Sequence, residues 1–180
     1  QMEWQKRILR SMQRQIDATK DVFDMGESCT VIQSPSFYWS YIQLIGEDPV
    51  VDERFEAMRP WMDAIPITAS SLCISRSNME RQNPLLDVKI GMRLHIEDVE
   101  FMGIDVDRDD VMLFPERKCV YGIIRSNDGA LIERENIRHV LDFITRGKLT
   151  IAGDAFSEII AVECRNGNYI RYDQLYVPVK

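Results

Sequence analysis

One acid stands where the local pattern calls for apolar residues. Phe156-Ser157-Glu158-Ile159-Ile160-Ala161-Val162 is a run of strand length, rich in β-branched side chains, and strand alternation puts Glu158 on the face of Ile160 and Val162. A carboxylate on such a face must find a cation or donors, or have its pKa raised, and these conditions are met more often at a binding site than in a core. Two readings stay open. Glu158 either faces a ligand, or it serves the structure by capping the strand's wet end or pairing with an Arg from a neighbouring strand.

Other side chains with chemical potential divide quickly. Trp39 and Tyr41 lie two apart on one strand, as sheet cover or as the lining of a pocket for flat apolar ligands. Cys29, Cys73, Cys119 and Cys164 are spread evenly without a C-x-x-C pair or clustered histidines, which indicates neither zinc nor disulfides but small core residues in a reducing, cytoplasmic setting. Asp105, Asp107 and Asp109 with Glu116 imitate a calcium loop, yet its sixth position is Asp110 instead of Gly, and Pro115 precedes the Glu. The sharp turn needs that Gly, so no metal is expected. His95, at a strand end, and His139, on a helix face, receive no role, and no cofactor is implied.

The elements that must position these residues follow from periodicity. Met2, Gln5, Leu9, Met12, Ile16, Thr19 and Phe23 keep a three-four heptad spacing with no Gly or Pro before Gly26. Residues 1–25 therefore read as an amphipathic, coiled-coil-like helix that packs on a partner chain or on the body. Strands are expected at Cys29–Gln33 and Phe37–Ile45, a turn at 46–49, then a helix carrying Val51, Phe55, Met58, Met62 and Ile65, bent at Pro60 with Trp61 on the sheet. Strands around Leu72-Cys73-Ile74 and Val88–Leu94 follow. Glu97–Asp110 reads as a solvated acidic connection into an edge-like strand, Val111–Phe114. From Lys118 the order recurs: strand to Arg125, a turn over 126–129, a helix with Ile137, Val140, Leu141 and Ile144 stopped by Gly147, and strands over 158–163 and 169–177. Strand, helix, strand, strand thus occurs twice. Cysteine spacings of 90 (Cys29 to Cys119) and 91 residues (Cys73 to Cys164) agree with a duplication.

A chain of 180 residues, 45% hydrophobic, can bury a full core, and no apolar run approaches the ~20 residues that cross a bilayer. Residues 1–20 carry five cations against two carboxylates, a net of +3, which leaves −10 on the rest of a chain of net charge −7. An acidic body is unsuited to nucleic-acid phosphates and favours cationic ligands.

FPERKCVYGIIR, ENIRHVLDFITRGKLTIAGDAFSEIIAVE and YIRYDQLYVPV resemble the GyrI-like effector-binding domain, and more closely the ligand-binding part of MerR-family multidrug-responsive transcription regulators. The resemblance covers roughly residues 28–180 and is most specific from Phe114 to Glu163. It implies an α+β fold in which two pseudo-symmetric β-α-β-β units form an antiparallel sheet system with a central ligand cleft. It also implies that residues 1–25 are the tail of a dimerisation helix, that the chain forms a homodimer through it, and that DNA is bound only by a preceding domain. A chain that begins at Gln1 fits a fragment of such a regulator.

In the family a Glu in the strand after the second helix contacts lipophilic cations within an aromatic pocket, and GDAFSEII places Glu158 there. The resulting candidate ligand site is Glu158 with Trp39, Tyr41, Met92, Tyr121, Phe156 and Tyr172, the flexible Met92 and Met79 allowing varied ligand shapes. The expected function is a sensor of hydrophobic, cationic small molecules, without enzyme activity. Two alternatives belong to other classes. One is a GyrI-like hydrolase, with Glu158 activating water beside Tyr121 or Tyr172; the other is a stand-alone inhibitor that binds an enzyme by its acidic surface.

Overall fold

The computed structural model describes residues 1–44, 52–127 and 132–180. The expected turn at 46–49, Ile45, Val51 and the turn residues 128 and 129 lie outside these. Helix α1 (Met2–Met25) precedes strands β1 (Cys29–Gln33) and β2 (Phe37–Leu44), helix α2 (Asp52–Asp63), strand β3 (Ala69–Ile74) and the short helix α3 (Arg76–Glu80). Strands β4 (Leu85–Leu86) and β5 (Val88–His95), helix α4 (Ile96–Met102) and strands β6 (Val111–Phe114), β7 (Lys118–Asn127) and β8 (Ile132–Glu133) follow. A 3-10 turn over Arg134–Ile137 leads into α5 (Arg138–Arg146), and β9 (Ala155–Arg165) and β10 (Asn168–Pro178) close the chain.

The fold is α+β. Eight strands form one sheet in the order β1-β7-β10-β9-β3-β5-β2-β6, and every pairing in it is antiparallel. The order reveals the duplication. The unit β2-α2-β3-β5 sits as β3-β5-β2, and the unit β7-α5-β9-β10 sits as β9-β10-β7, so the two halves meet at β3 and β9 and mirror each other outward. Only one of the two cysteine spacings follows this symmetry: Cys73 on β3 and Cys164 on β9 lie on equivalent strands, each one residue before the strand's end, whereas Cys29 on β1 and Cys119 on β7 lie on neighbouring strands. Cys73 and Cys119 are core residues as expected, but Cys164 is exposed.

Each face carries its own core. On one face α5 and α3 cover Leu72, Ile74, Val88, Val120, Ile124, Leu175 and Val177, with Ile137, Val140 and Ile144 as the buried stripe of α5 and its approach. Farther along that face, Met58 and Trp61 of α2 and Ile104, just after α4, pack on Met92 and Leu94, with Trp4 and Ile8 from the N-terminal part of α1 against the same cluster. Pro60 lies inside α2, and its buried side is Met58 and Trp61; Phe55 and Ile65, expected on that side, are exposed. The acidic connection contains a helix that periodicity missed: α4 starts with Glu97 and Asp98 in its first turn, where its dipole favours them. Asp110 accepts from Arg108 at 2.6 and 2.9 Å.

The opposite face belongs to aromatics and α1. Phe37, Trp39, Phe114, Tyr121, Phe156 and Tyr176 form its cluster, against which Val22 and Met25 of α1 pack.

Candidate functional site

Glu158 sits at the seam between the two halves. Its register neighbours are Ser71 on β3 and Gln174 on β10, and directly opposed residues share a face. On that face it has Phe156 as its companion along β9. The alternation does not extend to Val162. The register shifts where Tyr172 and Asp173 pair with Ala161 and Ile159, so Ile160 is an extra, bulged residue, and Val162 is 58% exposed.

The carboxylate is paired. Arg93 of β5 reaches across β3 and its Nη2 meets Glu158 Oε1, both side chains being largely buried at 7% and 13% exposure. This is the Arg of a nearby strand that the structural reading allowed for. Gly91 makes room for it on the same face. A methyl group there would overlap the Ser40 carbonyl and sit 2.5 Å from the Trp39 ring, so the indole lies flat over bare backbone beside Arg93.

Arg93 also donates from Nη1 to His95 Nε2 at 2.6 Å. Accepting there makes His95 neutral. Burial first, and the Arg93 charge second, push its pKa down to about 2. Burial likewise raises Tyr176, with Glu158 adding to the shift.

Aromatic rings surround the pair. Phe156 stacks on Tyr176 at 4.7 Å and meets Phe37 edge-on at 4.3 Å, Phe37 stacks on Phe114 at 5.2 Å, and Tyr176 touches Tyr121 at 5.1 Å. A directed hydrogen-bond row runs beside them. Tyr176 O–H donates to Gln174 Oε1 (3.4 Å), Gln174 Nε2–H to Tyr121 Oη (2.6 Å), and Tyr121 O–H to Asp21 Oδ2 of α1 (2.6 Å). The pKa of Tyr121 is raised by burial and by Asp21.

The expected site residues are only partly brought together. Trp39, Tyr121 and Phe156 join the aromatic cluster of the Glu158 face. Tyr41 lies at its margin, 6.2 Å from Trp39 and covered by Arg54 at 4.9 Å and Lys89 at 5.6 Å. Tyr172, on the same face of β10 as Gln174 and Tyr176, packs at the edge of that cluster, donates to Glu163 at 3.2 Å, and helps line a separate cleft of about 390 Å³ with Val22, Gly26, Ile123, Arg125 and His139. Met92 does not belong with them. Adjacent to Arg93 on one strand, it must point the other way, and it packs with Met58 and Trp61. Met79 is likewise in the core beneath α5.

Sequence reasoning missed Arg93, Gln174, Tyr176 and Asp21. For Arg93 the signal was present: it lies in an alternating strand, on the side opposite Met92 and Leu94. It also missed that α1 crosses this face, lying against β7 and β9. The side of α1 turned inward holds Trp4, Ile8, Ser11, Ala18, Val22 and Met25, with Ser11 and Ala18 buried. Of the heptad residues, Met2, Gln5 and Leu9 face solvent, while Met12, Ile16, Thr19 and Phe23 border a shallow groove that also touches Ile160 of β9.

No protein-family profile matches the chain, and no curated protein matches it significantly. Solved structures do. The C-terminal domain of EcmrR superimposes with a TM-score of 0.52 at 10% identity, over 85% of this chain and 97% of that one. A hydrolase from Listeria innocua superimposes with the same TM-score and identity, over 91% of this chain and 97% of that one. At such identity the likeness is one of fold alone, shared by the C-terminal domain of EcmrR and by the Listeria innocua hydrolase.

Proposed function

We propose that this chain is the effector-binding part of a transcription regulator and that its effector is a hydrophobic, cationic small molecule taken up at Glu158. The observation that carries this reading is the setting of that acid: a carboxylate at the seam of the two halves, on the face of the Trp39, Phe156, Tyr121 and Tyr176 cluster, and neutralised by one side chain. Arg93 is the resident cation. A lipophilic cation that takes its place keeps the charge of Glu158 matched and gains ring contacts worth about 0.5 to 2 kcal/mol each. Affinity then reflects an exchange of cations, which favours ligands that are bulkier and less hydrated than a guanidinium.

Homodimerisation belongs to the same proposal. Met2, Leu9, Ile16 and Phe23 lie seven apart, and Leu9 and Phe23 are 65% and 81% exposed. An apolar heptad stripe left open to solvent on a docked helix suits a second copy of the same helix. DNA would be held by a domain that precedes α1.

The likeness to a hydrolase supports a second reading, in which Glu158 activates water. The pairing with Arg93 weighs against it, because the guanidinium already occupies the carboxylate oxygen that an activated water would have to reach. A thermal-shift screen of lipophilic cations, neutral hydrophobes and organic anions tests the main reading. Selective stabilisation by cations is expected; stabilisation by anions alone would refute it.

A further inference from the structure

A molecule approaching Glu158 must come from the face that α1 crosses. Two sets of polar contacts hold the helix there, and they differ in strength. Toward the N-terminal end, Arg7 pairs with the buried Asp98 and donates to the Glu97 carbonyl at 2.8 Å, while Arg14 donates to Glu97 Oε1 at 3.0 Å and lies 3.6 Å from Asp98 Oδ2. Ser11 adds a hydrogen bond to the Pro66 carbonyl. Toward the C-terminal end, the helix is tied among the described residues by Tyr121 O–H to Asp21. Beside it opens the cleft walled by Val22, Gly26, Ile123 and Tyr172. Gly26 follows, with φ 55° and nothing within 4 Å of where a Cβ would stand, so the chain can turn there at little cost.

The Asp21 tie is also the end of the hydrogen-bond row that starts next to Glu158. Gln174, the register partner of Glu158, donates to the same Tyr121 oxygen whose proton goes to Asp21. A ligand that reorients Gln174 or Tyr176 therefore disturbs the bond that holds the helix.

We propose that α1 is a displaceable strap over the effector face, latched by Asp21 on Tyr121 and released when the site around Glu158 is occupied. The proposal rests on the effector reading and adds its regulation. The strap and the ligand compete for one face, and the outward heptad stripe moves with the strap. Occupancy is thus converted into a change in how α1 is presented. By linkage, whatever weakens the latch must strengthen ligand binding by the same factor, as long as the strap remains mostly closed.

Asp21→Ala tests this, with Asp24→Ala as its control. Both remove an acid near the C-terminal end of the helix, but of the two only Asp21 bonds Tyr121. Amide exchange over residues 18–25 and the dissociation constant of tetraphenylphosphonium are measured for both variants and the wild type. Asp21→Ala is expected to speed exchange about fivefold, the worth of one hydrogen bond, and to tighten tetraphenylphosphonium by a similar factor, while Asp24→Ala does neither. Unchanged exchange in Asp21→Ala overturns the latch. Faster exchange with unchanged affinity for a cation that binds overturns the competition and leaves the effector reading standing. No binding by any of the three proteins refutes the effector reading, and the strap falls with it.

Discussion

Glu158 and Arg93 are each costly alone and tolerable together, which gives the pair a clear mutational signature. Converting Glu158 to Gln strands a buried guanidinium and should destabilise the fold by about 3 kcal/mol. The double change Glu158→Leu with Arg93→Met, which removes both charges, should lie closer to wild type than either single change; urea unfolding of the four proteins checks the cycle. His95 gives a second test. Its folded-state pKa of about 2 lies below the ordinary 6.5, so the unfolded chain takes up a proton that the native state refuses. Its contribution is complete above about pH 6.5 and is lost as pH falls. Asp173, fully buried beside Arg171 at 2.9 Å, runs the other way. Burial raises its pKa to about 6, so the native state gains relative stability as pH falls from about 6 to 3.8. Replacing Asp173 by Asn should therefore steepen the loss of stability between pH 6 and 4 relative to wild type, as read by the urea midpoint; an unaltered slope would contradict the assigned direction.

At the scale of elements, α1 is the most informative case. It carries two stripes, and periodicity showed the one made of large apolar residues. The other also has apolar residues at three-four spacing, Trp4, Ile8, Ala18, Val22 and Met25, but it is interrupted by Ser11 and flanked by Arg7 and Arg14, whose pairing with the buried Asp98 helps to make it the docking side. If the outer stripe joins two copies, Leu9→Glu with Ile16→Glu should yield a monomer by analytical ultracentrifugation, with the melting temperature of the body little changed. A dimer that persists would place the interface elsewhere. The strands were legible because their alternation is local. The bulge at Ile160 was not: nothing in residues 156–162 says where β10 will shift register, so Val162 was assigned to a face it does not share. The helix α4 was hidden for a related reason, since its acids serve its dipole and the Arg7 and Arg14 anchors instead of marking a solvated loop.

For the whole molecule, the repeated order of strand, helix, strand, strand was enough to give the α+β class and its duplication, because each unit is specified by its own periodicity. The pairing between units was not readable. Arg93 and Glu158 are 65 positions apart in sequence and come together only because β3 and β9 meet at the seam. The same seam explains why the site was half legible: Glu158, Trp39, Tyr121 and Phe156 share a face, whereas Met92 is turned away by the pleat and Tyr172 reaches only the edge of the cluster, where it bonds Glu163. The account gives the two seam charges opposite roles toward a ligand, and this can be measured directly. Titration calorimetry of tetraphenylphosphonium at pH 8 into wild type, Glu158→Gln and Arg93→Met should show binding weakened tenfold or more, on the order of 1.4 kcal/mol, by loss of the acid, and strengthened by loss of its resident cation. Equal affinity for all three proteins would contradict the account.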